Sequence, residues 1–215
     1  MFLSYLGVWL IIPLALVVYY FGKHIHRNEF RYYFGVLIIS IVLTILVLFS
    51  LDTWIFQSLV IEGHLSFALF VIVMYGGALP FKSKMKKYLM QIRREFALIG
   101  FLLLIPHGMY RISLALNGYN FTGLWAFILM IPLVIVSYPH VRKKIRRVTW
   151  TRIHKAAYVV YLFIYIHVGF RLFINGSFRQ FSIQLDAWPY HALFIGYLVL
   201  KIRVVIINRR KIAVS

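Results

Sequence analysis

The chain has no cysteine and only five acidic residues among 215. The first absence excludes disulfides, thiolate nucleophiles, zinc–thiolate sites and iron–sulfur ligation, so any redox chemistry must use other ligands. Charge of either sign is scarce as well: 13% of residues are charged and 62% are hydrophobic, whereas charged residues alone make up about a quarter of a soluble domain. A water-soluble fold of this length needs a polar exterior that the sequence cannot supply, so the bilayer is its solvent. The 24 Lys and Arg give a formal net charge of +19. They fall between apolar runs, where they read as topology signals and contacts to anionic membrane lipid, not as a nucleic-acid-binding patch.

A spanning helix needs ~20 mostly apolar residues, and seven runs qualify: 3–21, 32–51, 58–80, 93–116, 121–139, 154–174 and 188–207. The expectation is an all-α, polytopic membrane helix bundle. The first run is too long for a signal-peptide core and is expected to stay as a membrane helix. Connections alternate in charge. Lys23, Arg27 and Arg31 follow the first run, Lys82, Lys84, Lys86 and Lys87 the third, and Arg142 to Arg147 the fifth, with Arg209, Arg210 and Lys211 in the tail. Asp52, Glu62, the Asn117–Asn120 turn and the loop from Asn175 to Ala187 occupy the other side. By the positive-inside rule this predicts a multi-pass cell-membrane protein with its N-terminus outside and its C-terminus cytoplasmic.

An ionisable group deep in a span is costly and reads as functional by default. Of eight histidines, His107 and His167 meet that condition. His107 lies 13 residues after Arg94, about 20 Å along a helix at 1.5 Å per residue. His167 lies 12 residues after Lys155, about 18 Å along another by the same rise. Two imidazoles at one depth on separate helices suit the two axial positions of a heme. Gly100, seven residues before His107, is expected to leave room for a ring on the same face, and Arg111 and Arg171, each four residues beyond a histidine, to lie one turn outward and pair with propionates. The bland alternative has both histidines hydrogen-bonded within the bundle while the arginines snorkel to the surface. His64 and His191 fall at outer span ends. His24, His26 and His140 fall in cytoplasmic connections, where they are expected to be solvated.

His154 stands at the inner mouth, 13 residues before His167 and about 140° from its face on an ideal helix. Arg93 occupies the place, on the face of His107, where a partner for a second heme is needed. No second bis-histidine pair is visible.

Arg93-Arg94 followed by Gly100 and His107, then Trp150 through His154, then His167, resemble the ferric reductase-like transmembrane domain. The likeness is nearest to its short stand-alone members, the heme-binding membrane subunits of the methionine sulfoxide reductase system. It covers residues 32–207 as a six-helix core, with 1–31 as an extra N-terminal helix and loop and 208–215 as a basic cytoplasmic tail. The resemblance implies heme b held by His107 and His167 and a cytoplasmic flavin reductase or NAD(P)H dehydrogenase as electron source. It also implies an extracytoplasmic acceptor protein or a ferric or flavin substrate. The related NADPH oxidases hold a second heme with a histidine pair spaced like His154 and His167 and a further histidine where this chain has Arg93. The inner site is thereby left open between a second heme and FMN or FAD held against Arg93, Arg94 and His154, as in the single-heme metalloreductases.

The expected function is that of a transmembrane b-type cytochrome, the electron-transfer subunit of an oxidoreductase. With no Gly-x-Gly-x-x-Gly segment, nicotinamide oxidation falls to a separate protein. The rival class is a transporter or channel without a redox cofactor; such carriers place carboxylates within the membrane, while all five here lie at or near span ends.

Overall fold

The computed structural model describes residues 5–49, 51, 54–80, 83–175 and 178–214, with side chains for all of these but 175, 178, 179 and 208–214. The charge cues at Asp52, Lys82, Arg179 and Arg209 to Lys211 therefore lie outside the described residues or side chains.

The protein is a bundle of helices with one small hairpin. A short helix α1 (Leu6–Trp9) leads into α2 (Ile11–Arg27), and a single residue, Asn28, separates α2 from α3 (Glu29–Leu48). The turn is tight because Asn28 bonds back to the His24 carbonyl through both its backbone N–H and its side chain. Next come α4 (Trp54–Phe56), a π-helical turn over Gln57–Ile61, α5 (His64–Gly76), α6 (Lys84–Gln91), α7 (Arg93–Leu116) and α8 (Thr122–Ser137). Short basic helices α9 (Pro139–Lys144) and α10 (Arg147–His154) follow, and α10 passes through Lys155 alone into α11 (Ala156–Gly169). Strands β1 (Phe170–Asn175) and β2 (Phe178–Ile183) precede the last helix, α12 (Trp188–Val214).

Helix α5 is apolar all round and lies at the centre, as such a helix must: 67% of the apolar stretch within Trp54–Gly76 is buried, against 6% for that within Leu185–Ile207. Leu69, Ile72 and Val73 pack with Val18, Ile92, Phe96 and Ile99, while Phe67 and Val71 pack with Tyr190. The outer helices turn large apolar side chains such as Phe34, Leu48, Leu198 and Val199 outward, the surface expected of helices solvated by lipid.

Five helical stretches among the described residues are long and apolar enough to cross a membrane: Leu6–Arg27, Glu29–Leu48, Trp54–Gly76, Arg93–Leu116 and Leu185–Ile207. This falls short of the seven expected. The fifth run yields the 16-residue α8, about 24 Å at 1.5 Å per residue. The sixth yields the 14-residue α11, because the chain turns extended at Phe170 and its last residues pair in register with β2, Phe170 opposite Ile183 and Arg171 opposite Ser182. The hairpin is held further by Asn120 N–H donating to the Leu172 carbonyl and Ile174 N–H to the Gly118 carbonyl. Part of the expected Asn175–Ala187 loop is therefore a strand.

Helix α7 carries Pro106, which cannot donate to the Leu102 carbonyl one turn back. The hydroxyl of Ser40 on α3, itself buried, donates to that carbonyl at 2.8 Å. The break and its repair fall directly before His107.

Candidate cofactor site

Helices α7 and α11 bring His107 and His167 together: the ring centroids are 6.0 Å apart and the planes cross at 86°. Both rings line one cavity of about 420 Å³, within the ~300–1,000 Å³ range of ligand and cofactor pockets. Its wall is mostly apolar, with Phe67, Phe70, Leu104 and Met130 among its members, and Glu62 and Arg111 supply charge.

The two imidazoles are seated differently. His107 Nδ1 lies 2.7 Å from the Ile61 carbonyl oxygen. A carbonyl only accepts, so Nδ1 carries the proton and the Nε2 lone pair of the neutral ring stays free for a metal. That carbonyl is offered by the π-turn before α5. A second carbonyl of the same turn, Ser58, takes the Nδ1 proton of His64 at 2.7 Å. Gly63 ends the turn at φ +77°, and a Cβ there would come 3.2 Å from His107 Nδ1.

His167 is the less satisfied of the two, since its Nδ1 is buried with no hydrogen-bond partner. Its backbone is fixed by Asn120, whose side-chain amide donates to the His167 carbonyl at 3.0 Å, one of the acceptors that a helix end leaves open. Asn120 takes φ +48° to do so, a conformation that asparagine tolerates better than most residues. Gly123, in the first turn of α8, lies against the ring: a Cβ there would stand 2.6 Å from His167 Cε1. Gly63, Asn120 and Gly123 were not singled out by sequence reasoning. A glycine inside a helix is the signal that pointed to Gly123, since it costs stability and marks a close approach.

The other expected members of the site divide between the cavity wall and places away from it. Gly100 does not line the cavity. Its open face is filled from α5 by Phe70, whose ring would meet an added Cβ at 3.4 Å, so no void remains there. Arg111 lines the cavity, with its guanidinium 5.1 Å from the Tyr110 ring centroid. Arg171 is not one helical turn beyond His167, because α11 ends at Gly169 and Arg171 sits exposed on β1. His64 also lines the cavity. His191 lies apart from it, bonded to the Tyr165 hydroxyl at 3.0 Å and the Gln184 carbonyl at 3.1 Å.

At the end of α10, both nitrogens of His154 are engaged, Nδ1 with the Trp150 carbonyl at 3.1 Å and Nε2 with the Ser137 hydroxyl at 3.0 Å. Its ring stacks on Trp150 at 3.8 Å, and Arg142 lies over that indole. Arg94 is held by Glu29 and Glu95, and Arg93 neighbours Tyr161. His26, expected to be solvated, instead bonds the buried carboxylate of Glu95 at 2.8 Å. His140 stacks on Tyr138.

Compared with protein-family models, with curated proteins and with solved structures, the chain finds no match in any of the three.

Proposed function

We propose that this membrane protein is a b-type cytochrome that moves electrons through one heme held between His107 and His167. The observation that carries this reading is the pair itself: two imidazoles 6.0 Å apart by centroid on the wall of one largely apolar cavity. An Fe–N bond resembles the ~2.0 Å of other imidazole–metal bonds, so one metal atom spans that separation. Glycine at 63 and 123 keeps both rings free of a crowding Cβ.

Heme, when bound, supplies one-electron chemistry. The protein's own residues supply the rest. The Ile61 carbonyl fixes the tautomer and orientation of His107, Asn120 and Gly123 seat His167, Arg111 offers a cation to the carboxylates of a porphyrin, and the apolar wall excludes water. An inner heme or an FMN or FAD against Arg93, Arg94 and His154 gains no comparable support, since Arg94 and His154 are already bonded within the protein.

Electrons come, in this proposal, from a cytoplasmic flavin reductase or NAD(P)H dehydrogenase and leave to an extracytoplasmic acceptor protein or a ferric or flavin substrate. The alternating charge of the connections supports an outside N-terminus and a cytoplasmic C-terminus, provided α8 and the α10–α11 run also cross. The absorption spectrum of the protein purified from heme-replete cells tests the reading. The expected result is a Soret band that sharpens and shifts on dithionite reduction and disappears in His107→Ala and His167→Ala. A colourless preparation, or variants that keep the wild-type spectrum, overturns it.

A further inference from the structure

Two of the chain's five acidic residues meet at one place, the junction of α2, α3 and α7. Glu95 is wholly buried in the first turn of α7. Its Oε1 lies 2.8 Å from His26 Nδ1 at the end of α2 and 2.8 Å from Arg94 Nη2, and Arg94 also bonds Glu29 at the start of α3. Nδ1 or Nε2 of His26 and one oxygen each of Glu29 and Glu95 lie within 4.8 Å of one another.

The hydrogen bonding of this group does not close. Glu95 Oε2, Arg94 Nε and the hydroxyl of Tyr33, one turn beyond Glu29 on α3, are all buried without a partner. Two carboxylates here share one guanidinium and one imidazole. A buried carboxylate with one oxygen bare is costly to keep out of water, and these two acids stand together in a chain that has only five.

We propose that His26, Glu29 and Glu95 form a binding site for a divalent transition-metal ion of the zinc or manganese class. One imidazole and two carboxylates are a donor set suited to such ions, and three protein ligands leave one position for water. Arg94 now fills the space an ion needs. Its side chain is one-third exposed, which gives it a way out when the ion enters. His26 is about half exposed and Glu29 nearly buried, so the ion arrives from the His26 side, and a proton on the coordinating nitrogen leaves to solvent there. Held by one ligand from each of α2, α3 and α7, the ion pins the N-terminal hairpin to the helix that carries His107.

The test is zinc and manganese content by mass spectrometry after equilibration with each ion and gel filtration in detergent, with heme iron quantified separately. The expected result is about one ion per chain for one of the two metals, falling at least tenfold in Glu95→Gln and in the half-exposed His26→Gln, as loss of one ligand from such a site predicts. Arg94→Gln, which removes the competing cation, raises the apparent affinity. Wild-type retention below about a tenth of an ion per chain for both metals overturns the proposal, by the same stoichiometric reasoning. Equal retention by wild type and monodisperse His26→Gln also overturns it, because the ion then sits elsewhere.

Discussion

His154 and His167 stand on one nearly continuous helical run, Arg147–Gly169, and their imidazoles meet opposite surroundings. At one end, His154 is stacked on Trp150 and bonded through both nitrogens, to Ser137 and to its own helix. At the other end of the run, His167 stands beside a second imidazole on the wall of one cavity, and its buried Nδ1 bonds nothing. A satisfied histidine is explained by its bonds; an unsatisfied buried one calls for a further explanation. The contrast separates a histidine that fastens α8 to α10 from one that lines a cavity and that we propose binds heme.

Substitutions at the glycines and polar groups on each side give ways to break that contrast. The largest effect is expected at Gly123. A methyl group there meets the His167 ring at 2.6 Å, and the ring must move, so Gly123→Ala should lower bound heme per protein by roughly tenfold, the scale on which orienting contacts act at metal sites. Retention of full heme at wild-type affinity, measured by pyridine hemochrome content, breaks the account of how His167 is seated.

Gly63→Ala should do less. It forces an alanine to φ +77° and crowds His107 at 3.2 Å, for a cost of about 1–2 kcal/mol in the left-handed conformation. Thermal unfolding in detergent should register that loss, with heme still bound below the transition. His154→Ala should leave heme content unchanged and cost about 1 kcal/mol in lost hydrogen bonding; loss of half the heme establishes an inner site and dissolves the contrast. Ser40→Ala removes the donor to the Leu102 carbonyl freed by Pro106, and its effect on unfolding should be the smallest, about 0.6 kcal/mol, as for a typical hydrogen bond within the membrane.

Depth counting made the meeting of His107 with His167 legible, because 1.5 Å per residue from a basic boundary is a property of the segment alone. What depended on other segments was hidden. The helix stops at Gly169 because residues 170–175 pair with 178–183, and no count along the sixth run anticipates that partner, so Arg171 was assigned to a helical face it does not occupy. Gly100 looked like space because its own helix offers no side chain there; the occupant, Phe70, comes from α5. His26 looked solvated because its partner, Glu95, is 69 residues away in sequence. Fewer long apolar helices form among the described residues than the seven runs suggest, for a related reason: hydropathy continues through β1 and past the ends of α8, while helix does not.

The most direct test of the central claim uses the crossing angle of the two imidazoles. Two axial histidines whose planes stand near perpendicular, as the 86° between His107 and His167 requires, give low-spin ferric heme a strongly anisotropic electron paramagnetic resonance signal, unlike the rhombic signal of parallel rings. The oxidised wild-type protein is expected to show that signal, and His107→Ala and His167→Ala each to lose it. A purely high-spin spectrum in the wild type, no heme signal at all, or a low-spin signal that survives either substitution contradicts the proposed ligation.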